Sequence, residues 1–420
     1  MFDSDEDDTM FDIDEVALAA SISASEPKSL AAALHGRNRK EWLNGAVSEL
    51  KSHVRNKTFS VVDNRSEKTV SSLFVLKLKE DLDKGTVQFK VRFCAKGFSQ
   101  IPGVHFDETF APTLNKDCFR ILLAYAARKI QHLQLSKGDI ETAFLIPVLP
   151  DSETIYLRVP KEFTEVARAA GVNFKFGQLL KLHKCIYGLK QASHRWNMDF
   201  VNGMKSLGFQ QLTKEPCFFI HSTGKSFVVI YVDDILFLGN PADTKYFWKK
   251  LGNLFPLKYL GEPRSWLGFQ IEKLTNGYKL HMEAYIHKVL KIFNMTKAPT
   301  SPTPTASTRL TKAGEPVPSH VPYRQAVGCL LWISQCYRPD IAFAVGQVAS
   351  YNQDPRVPHW IAVKKIIKYL KGTASFGLRY LYKQDSEMDI VCYSDADWAG
   401  SESRKSTGGY LLYFGGCLVA

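Results

Sequence analysis

Residues 227–239 read FVVIYVDDILFLG, two apolar runs interrupted only by Asp233 and Asp234. Each run has the length and the β-branched or aromatic content of a buried strand. The pattern predicts a β-hairpin with two adjacent carboxylates at its turn. Two readings of the pair are open on these residues alone. Asp is favoured in turns for backbone reasons, so the pair can be an ordinary acidic turn. Alternatively it holds hard divalent cations, which take carboxylate oxygens and keep water and substrate phosphates as their remaining ligands.

The charge of the chain bears on that choice. Its 420 residues carry a formal net charge of +12, yet residues 1–27 hold nine acidic residues and no Lys or Arg. Setting those nine negative charges aside leaves +21 on residues 28–420. Such an excess implies a polyanionic partner, nucleic acid before an anionic membrane surface. No stretch approaches the ~20 apolar residues of a membrane span, and the acidic start excludes a secretory signal peptide. A soluble intracellular protein with no membrane partner is expected. The eight cysteines are scattered, without a Cys-x-x-Cys pair or a histidine at zinc spacing, and read as reduced thiols.

Residues 1–27 have too little apolar content for a core and are expected to be a disordered acidic leader. From Lys40 to Arg55 a stripe of Trp42, Leu43, Ala46, Val47, Leu50 and Val54 predicts a helix. Short strands follow, with a turn at Lys84-Gly85. The strand VQFKVRFCAKGF alternates Val87, Phe89, Val91 and Phe93 with Gln88, Lys90 and Arg92, so one face is apolar and the other basic. Lys90, Arg92 and Lys96 either line up toward a phosphate chain or are solvated sheet positions. Residues 119–129 read as a helix, and residues 133–145 as a strand carrying Asp139 with Phe144 five residues later. An irregular segment runs to Phe176. Trp196, Phe200, Met204 and Leu207 space as a helix, read as core packing, and Pro241 opens another helix through Phe255. A hairpin (WLGFQIEKLTNGYKLH) and a helix over 283–293 come next. Residues 296–322, rich in Pro, Thr and Ser, form a linker before helices over 323–335, 341–352 and 359–370 and three strands.

Taken in order, KVRFCAKGFSQ, FDETFAP, GDIETAFL, CIYGLKQA, YVDDILFLG, WLGFQI, RPDIAFAV, HW, KYLKGT and YSDADWAG resemble the reverse transcriptase region of copia-type LTR retrotransposon polyproteins, over roughly residues 38–420. The resemblance implies an α+β right-hand polymerase fold of fingers, palm and thumb or connection, followed by an incomplete RNase H-like α/β domain. The divisions it implies are fingers and palm at 28–295, the linker at 296–322, a helical thumb or connection region at 323–385 and an RNase H start at 386–420. The implied activity is RNA-directed DNA polymerisation on an RNA template with a DNA primer, hence RNA/DNA hybrid and dNTP as partners. The implied cofactor is a pair of Mg²⁺ ions, with Mn²⁺ as a substitute.

Matched position by position, the resemblance makes Asp139, Asp233 and Asp234 the metal-binding catalytic triad. It likens Phe144 to the aromatic gate against a ribose 2′ hydroxyl. Lys90 and Arg92 correspond to the fingers' triphosphate contacts, and Tyr187, Gly188 and Lys190 to the border of the nucleotide pocket. Adjacent strand residues face opposite ways, which makes Asp234 the more peripheral ligand. Asp395 resembles the first metal ligand of RNase H; without partners in the sequence it is expected to be inactive there. Ser193 departs from the family's usual Pro after LKQA. The chain shows no Asp-Thr-Gly or Asp-Ser-Gly protease signature and no His/Cys integrase pattern, as expected for a piece of a polyprotein. Two other readings compete: a catalytically silent relic that only binds nucleic acid, and a template-independent two-metal nucleotidyl transferase.

Overall fold

The computed structural model describes residues 27–64, 68–81, 86–305, 309–382, 389–399 and 404–420. Residues 1–26 of the acidic leader and the Lys84-Gly85 turn lie outside the described residues. The chain divides into two compact units interleaved along the sequence, one over 27–114 and 135–261, the other over 115–134 and 262–420.

The first unit contains β1 (Phe59–Val62), β2 (Thr69–Asp81), β3 (Thr86–Ala95), β4 (Gln134–Ile140), β5 (Tyr156–Arg158), β6 (Leu179–Leu182), β7 (Phe209–Gln211), β8 (Phe218–His221), β9 (Phe227–Tyr231), β10 (Asp234–Gly239) and β11 (Leu257–Gly261). They make two sheets, ordered β1-β6-β5-β2-β3 and β11-β4-β10-β9-β8-β7. The first sheet packs on the Arg39–Arg55 helix, whose Trp42, Ala46 and Leu50 are buried and whose Trp42 ring meets Phe89 edge-on at 4.9 Å. Val54, expected on that stripe, is instead exposed, and His53 takes the inner position with Nδ1 hydrogen-bonded to the Thr58 hydroxyl at 2.9 Å. The final turn thus buries a polar ring because a side-chain partner is at hand. In β3, Val91 and Phe93 are buried as the alternation predicts, while Val87 is exposed. The segment expected to be irregular up to Phe176 contains β5 and a helix over Phe163–Ala170. Phe163, Val166 and Ala167 of that helix are buried, and Gly171 ends it in the left-handed region. Eight residues give too few turns for periodicity to announce a helix against a Pro-flanked background.

The second sheet is held by two helices. The Pro241–Leu254 helix starts at Asn240, whose side chain accepts from the Asp243 amide, with proline in the first turn where no donor is needed. Its Phe247 stacks on Phe237 of β10 at 4.4 Å, and its Trp248 indole donates to the Ser136 hydroxyl of β4 at 2.9 Å. The Ala192–Ser206 helix puts Phe200 against Phe219 of β8 at 5.7 Å. Gly138 of β4 lies directly against the Trp248 ring, where a Cβ would collide.

In the second unit β12 (Ser265–Trp266), β13 (Phe269–Leu274), β14 (Gly277–His281) and β15 (Leu378–Leu381) form one sheet in that order. A second sheet comprises β16 (Ile390–Ala396), β17 (Gly408–Phe414) and β18 (Cys417–Leu418). The Lys116–Arg128 helix buries Phe119 against Trp266 at 4.6 Å, and its Arg120 guanidinium donates to the carbonyls of Gln335, Cys336 and Val419. Residues 296–322 carry no helix or strand among those described, yet they are tied down. The Ser301 amide donates to Lys368, Val317 to Pro355, and the Tyr351 hydroxyl to Leu310. No described helix is long and apolar enough to cross a membrane.

Gly138→Ala should destabilise the first unit by about 1–3 kcal/mol, the usual cost of forcing a methyl into a filled contact. A lowered urea midpoint with unchanged slope is the expected result.

Candidate active site

Because β4 lies beside β10, Asp139 on β4 comes next to the turn between β9 and β10. That turn is Val232-Asp233, closing the register Asp234↔Tyr231. The Ile140 amide donates to the Asp233 carbonyl at 2.9 Å, which fixes the height of the turn against β4. All three aspartates are partly buried.

Their electrostatics follow from this placement. Burial pushes the Asp139 carboxyl above its ordinary value, and Asp233 and Asp234 push it further, opposed by Lys137 and Lys90. The Asp233 carboxyl is likewise raised by burial, held down by its own backbone hydrogen bond, raised by Asp234 and lowered by Arg92 and Lys90. Asp234 forms an ion pair with Lys137 at 2.9 Å, between side chains 27% and 16% exposed. Lys137 was not singled out in the sequence, although it sits two residues before Asp139 and so shares its face of β4.

Around this centre stand the other residues singled out in the sequence. Lys90 and Arg92 project from β3, near enough for both to act on Asp233. The Arg92 guanidinium lies over the Tyr187 ring at 4.8 Å, and its Nε is a buried donor without a hydrogen-bond partner among the described residues. Burial pushes the Tyr187 phenol up to about 12, with Arg92 pulling it down and Glu49 and Asp233 adding to the rise. Phe144 meets Tyr187 edge-on at 5.3 Å, and both rings pack against the main core of the unit. Gly188 has φ +86°, and a Cβ there would strike the Ala95 carbonyl; the Ala95 amide in turn donates to the Tyr187 carbonyl at 2.8 Å. The end of β3 is thereby fastened to the loop bearing Tyr187. Lys190 is exposed and places its ammonium over the Phe106 ring at 4.9 Å, so it faces the loop after β3.

A buried polar network, not foreseen from the sequence, braces that loop. Gln191 donates to the His105 carbonyl at 2.7 Å and to Glu153 at 3.0 Å, Glu153 is ion-paired with Arg195, and Gln100 joins Gln191 to the Lys190 amide. Asp395 lies elsewhere, exposed on β16 in the second unit, its carboxylate accepting the Ala396 amide at 2.9 Å.

Asp139 and Asp233 offer hard oxygen donors held together against their own repulsion, a donor set that suits a divalent cation. Asp234 is committed to Lys137. Among the described residues no three His, Cys, Asp or Glu side chains gather as a metal cage.

For a carboxyl raised by folding, the native state holds its proton more tightly than the unfolded chain. The resulting penalty is absent below the unfolded value of about 3.9 and complete above the folded value. Asp139→Asn should therefore melt at a higher temperature than the wild type at pH 8 in chelator, and the gap should close toward pH ~4. Thermal melting across pH checks this; a variant melting lower at every pH would mean that the carboxylate contributes bonds rather than repulsion.

Comparison with known proteins agrees with the order of motifs. The chain is 36% identical over 413 residues to the "Retrovirus-related Pol polyprotein from transposon TNT 1-94" of Nicotiana tabacum, covering 94% of this chain and 30% of that protein. It is 32% identical over 410 residues to the corresponding polyprotein from transposon RE1 of Arabidopsis thaliana, covering 95% and 27%. The chain thus spans less than a third of the length of these curated relatives. The solved foamy viral protease-reverse transcriptase in complex with dsDNA overlaps it with a TM-score of 0.47 and 13% identity, covering 90% of this chain and 64% of that one. Residues 56–307 match the family described as reverse transcriptase (RNA-dependent DNA polymerase), a family that implies dependence on a divalent metal. On that match and on the plant relatives, the chain belongs to the reverse transcriptase family, in the line of copia-type transposon Pol polyproteins.

Proposed function

We propose that this chain is an RNA-directed DNA polymerase that extends a DNA primer on an RNA template with deoxynucleoside triphosphates. The observation that carries the reading is the convergence of Asp139 and Asp233, two carboxylates raised by burial, with Lys90 and Arg92 acting on the same point. Asp139 and Asp233 would hold a pair of Mg²⁺ ions, or Mn²⁺ in their place, with Asp234 at the edge of the set beside Lys137. When bound, such ions lower the pKa of the primer 3′ hydroxyl and stabilise charge at the α-phosphate and leaving pyrophosphate.

The chain's own residues do the rest. Lys90 and Arg92 neutralise the triphosphate, Arg92 with an Nε that lacks a partner among the described residues and a guanidinium suited to bidentate phosphate contact. Phe144, braced edge-on by Tyr187, forms the wall that a ribose 2′ hydroxyl would strike. Gly188 lets the loop pass close to β3, and Lys190 borders the pocket on the side of the loop at 97–106. Residues 28–295 correspond to fingers and palm, 323–385 to a thumb or connection, and 386–420, with Asp395, to the start of an RNase H-like domain. RNA/DNA hybrid is the expected product-bound partner, and substrates of this kind place the protein inside the cell.

The salt link of Asp234 to Lys137 favours a second reading, a relic that binds nucleic acid without catalysis. Mg²⁺-dependent incorporation on a primed poly-rA template decides between them. Asp233→Asn should lower the rate by at least about a hundredfold, given the share of the barrier that metal-borne charge stabilisation supplies. Absence of incorporation by a cooperatively melting wild type would leave the relic. In the active protein, Phe144→Ala should raise the use of ribonucleotides relative to deoxynucleotides, measured as a ratio of kcat/KM values.

A further inference from the structure

The hairpin turn that carries Asp233 is strained. Val232 has φ +60°, and a β-branched residue in the left-handed region is a backbone outlier that persists only when its surroundings hold it. What holds it is visible. The Trp196 indole N–H donates to the Val232 carbonyl at 2.6 Å. Trp196 itself is 2% exposed, in the Ala192–Ser206 helix, with its ring at 5.8 Å from Phe200 and 5.3 Å from Phe255. The next carbonyl, that of Asp233, is held by the Ile140 amide of β4. Both central residues of the turn are therefore gripped through their carbonyls, one from the helix and one from the neighbouring strand.

We propose that Trp196 is a positioning residue: its indole N–H holds the turn in the left-handed conformation that sets Asp233 beside Asp139. Burial of the ring explains why the helix carries an aromatic side chain there, but it does not explain the donor. A phenylalanine would fill much of the same space and leave the Val232 carbonyl without its bond. The loss would fall on the turn, because valine without an external grip relaxes toward negative φ and carries Asp233 with it. The inference rests on the proposed role of Asp233 for its catalytic consequence, while the conformational part stands on the turn alone.

The two parts have separate readouts. Hydrogen exchange of the Ile140 amide reports whether the turn keeps its place, whatever the activity. In Trp196→Phe that exchange should speed up roughly tenfold, the equilibrium worth of about one hydrogen bond. In the double variant Trp196→Phe, Val232→Gly it should return toward the wild type, because glycine adopts positive φ without an anchor. A ring that acts only as packing predicts the opposite, since an added glycine never repairs a cavity. Unchanged exchange in the single variant, or no recovery in the double, overturns the proposal. For the catalytic part, Trp196→Phe should lower kcat for primer extension about tenfold or more with little change in KM for the deoxynucleotide, and the glycine should restore it. It should also reduce the rise in melting temperature caused by Mn²⁺. Asp233→Asn runs alongside: if that variant matches the wild type, the polymerase reading fails, and the Ile140 exchange still decides the role of Trp196.

Discussion

Burial of neighbouring carboxylates is the constraint that the candidate site places on the first unit. Asp139 and Asp233 are each taken out of water far enough for burial to be the largest influence on them, and each has Asp234 near. Left to themselves the side chains would part or take up protons. Two kinds of feature prevent the first outcome. Covalent and hydrogen-bonded geometry fixes the backbone: β4 between β10 and β11, the Ile140 amide on the Asp233 carbonyl, the Trp248 ring filling the space against Gly138. Cations then offset part of the charge, Lys137 by direct contact and Lys90 and Arg92 from β3. The site is a place where folding free energy is spent so that two anions face one spot.

The arrangement of β3 follows from the same requirement. Its basic residues serve the carboxylates only if the strand's end stays near the loop bearing Tyr187, and the backbone bond from Ala95 together with the side-chain-free position at Gly188 brings them that close. The Gln191, Glu153, Arg195 and Gln100 network holds the far side of this loop. The members of this buried cluster bond one another, although the Arg195 Nε is left without a hydrogen-bond partner among the described residues.

Much of this was legible in the sequence because it is local. The hairpin at 227–239 announces itself by two apolar runs, the helix opening at Pro241 by its proline, and the alternation of β3 by period two. The motif order singles out Asp139, Asp233 and Asp234, which the fold brings together at one turn and the strand beside it. What was illegible depends on chain segments far apart. His53 replaces Val54 on the inner face because Thr58 offers a partner after the helix has ended. The Phe163–Ala170 helix is too short to show a period. Lys137 shares the face of Asp139, but only the fold reveals Asp234 within its reach. Trp196 reads as core from its spacing, and core it is; the destination of its N–H required the turn to be seen. Nor does any local signal place the Lys116–Arg128 helix with residues after 261 rather than with the strands on either side of it.

That placement sets an order of events in time. The buried face of the Lys116–Arg128 helix finds aromatic partners at Trp266 and Phe269, and its Arg120 reaches a carbonyl 299 residues further on. At a synthesis rate of ~5–20 residues per second, the last of these partners leaves the ribosome tens of seconds after the helix does. The strands on either side of the helix are all out only when Gly261 is, and Trp266 follows five residues behind it, so the apolar face is covered early while Arg120 waits for Val419. The last demand of this helix to be met is therefore that of a buried cation for carbonyl oxygens, not that of its apolar face for cover.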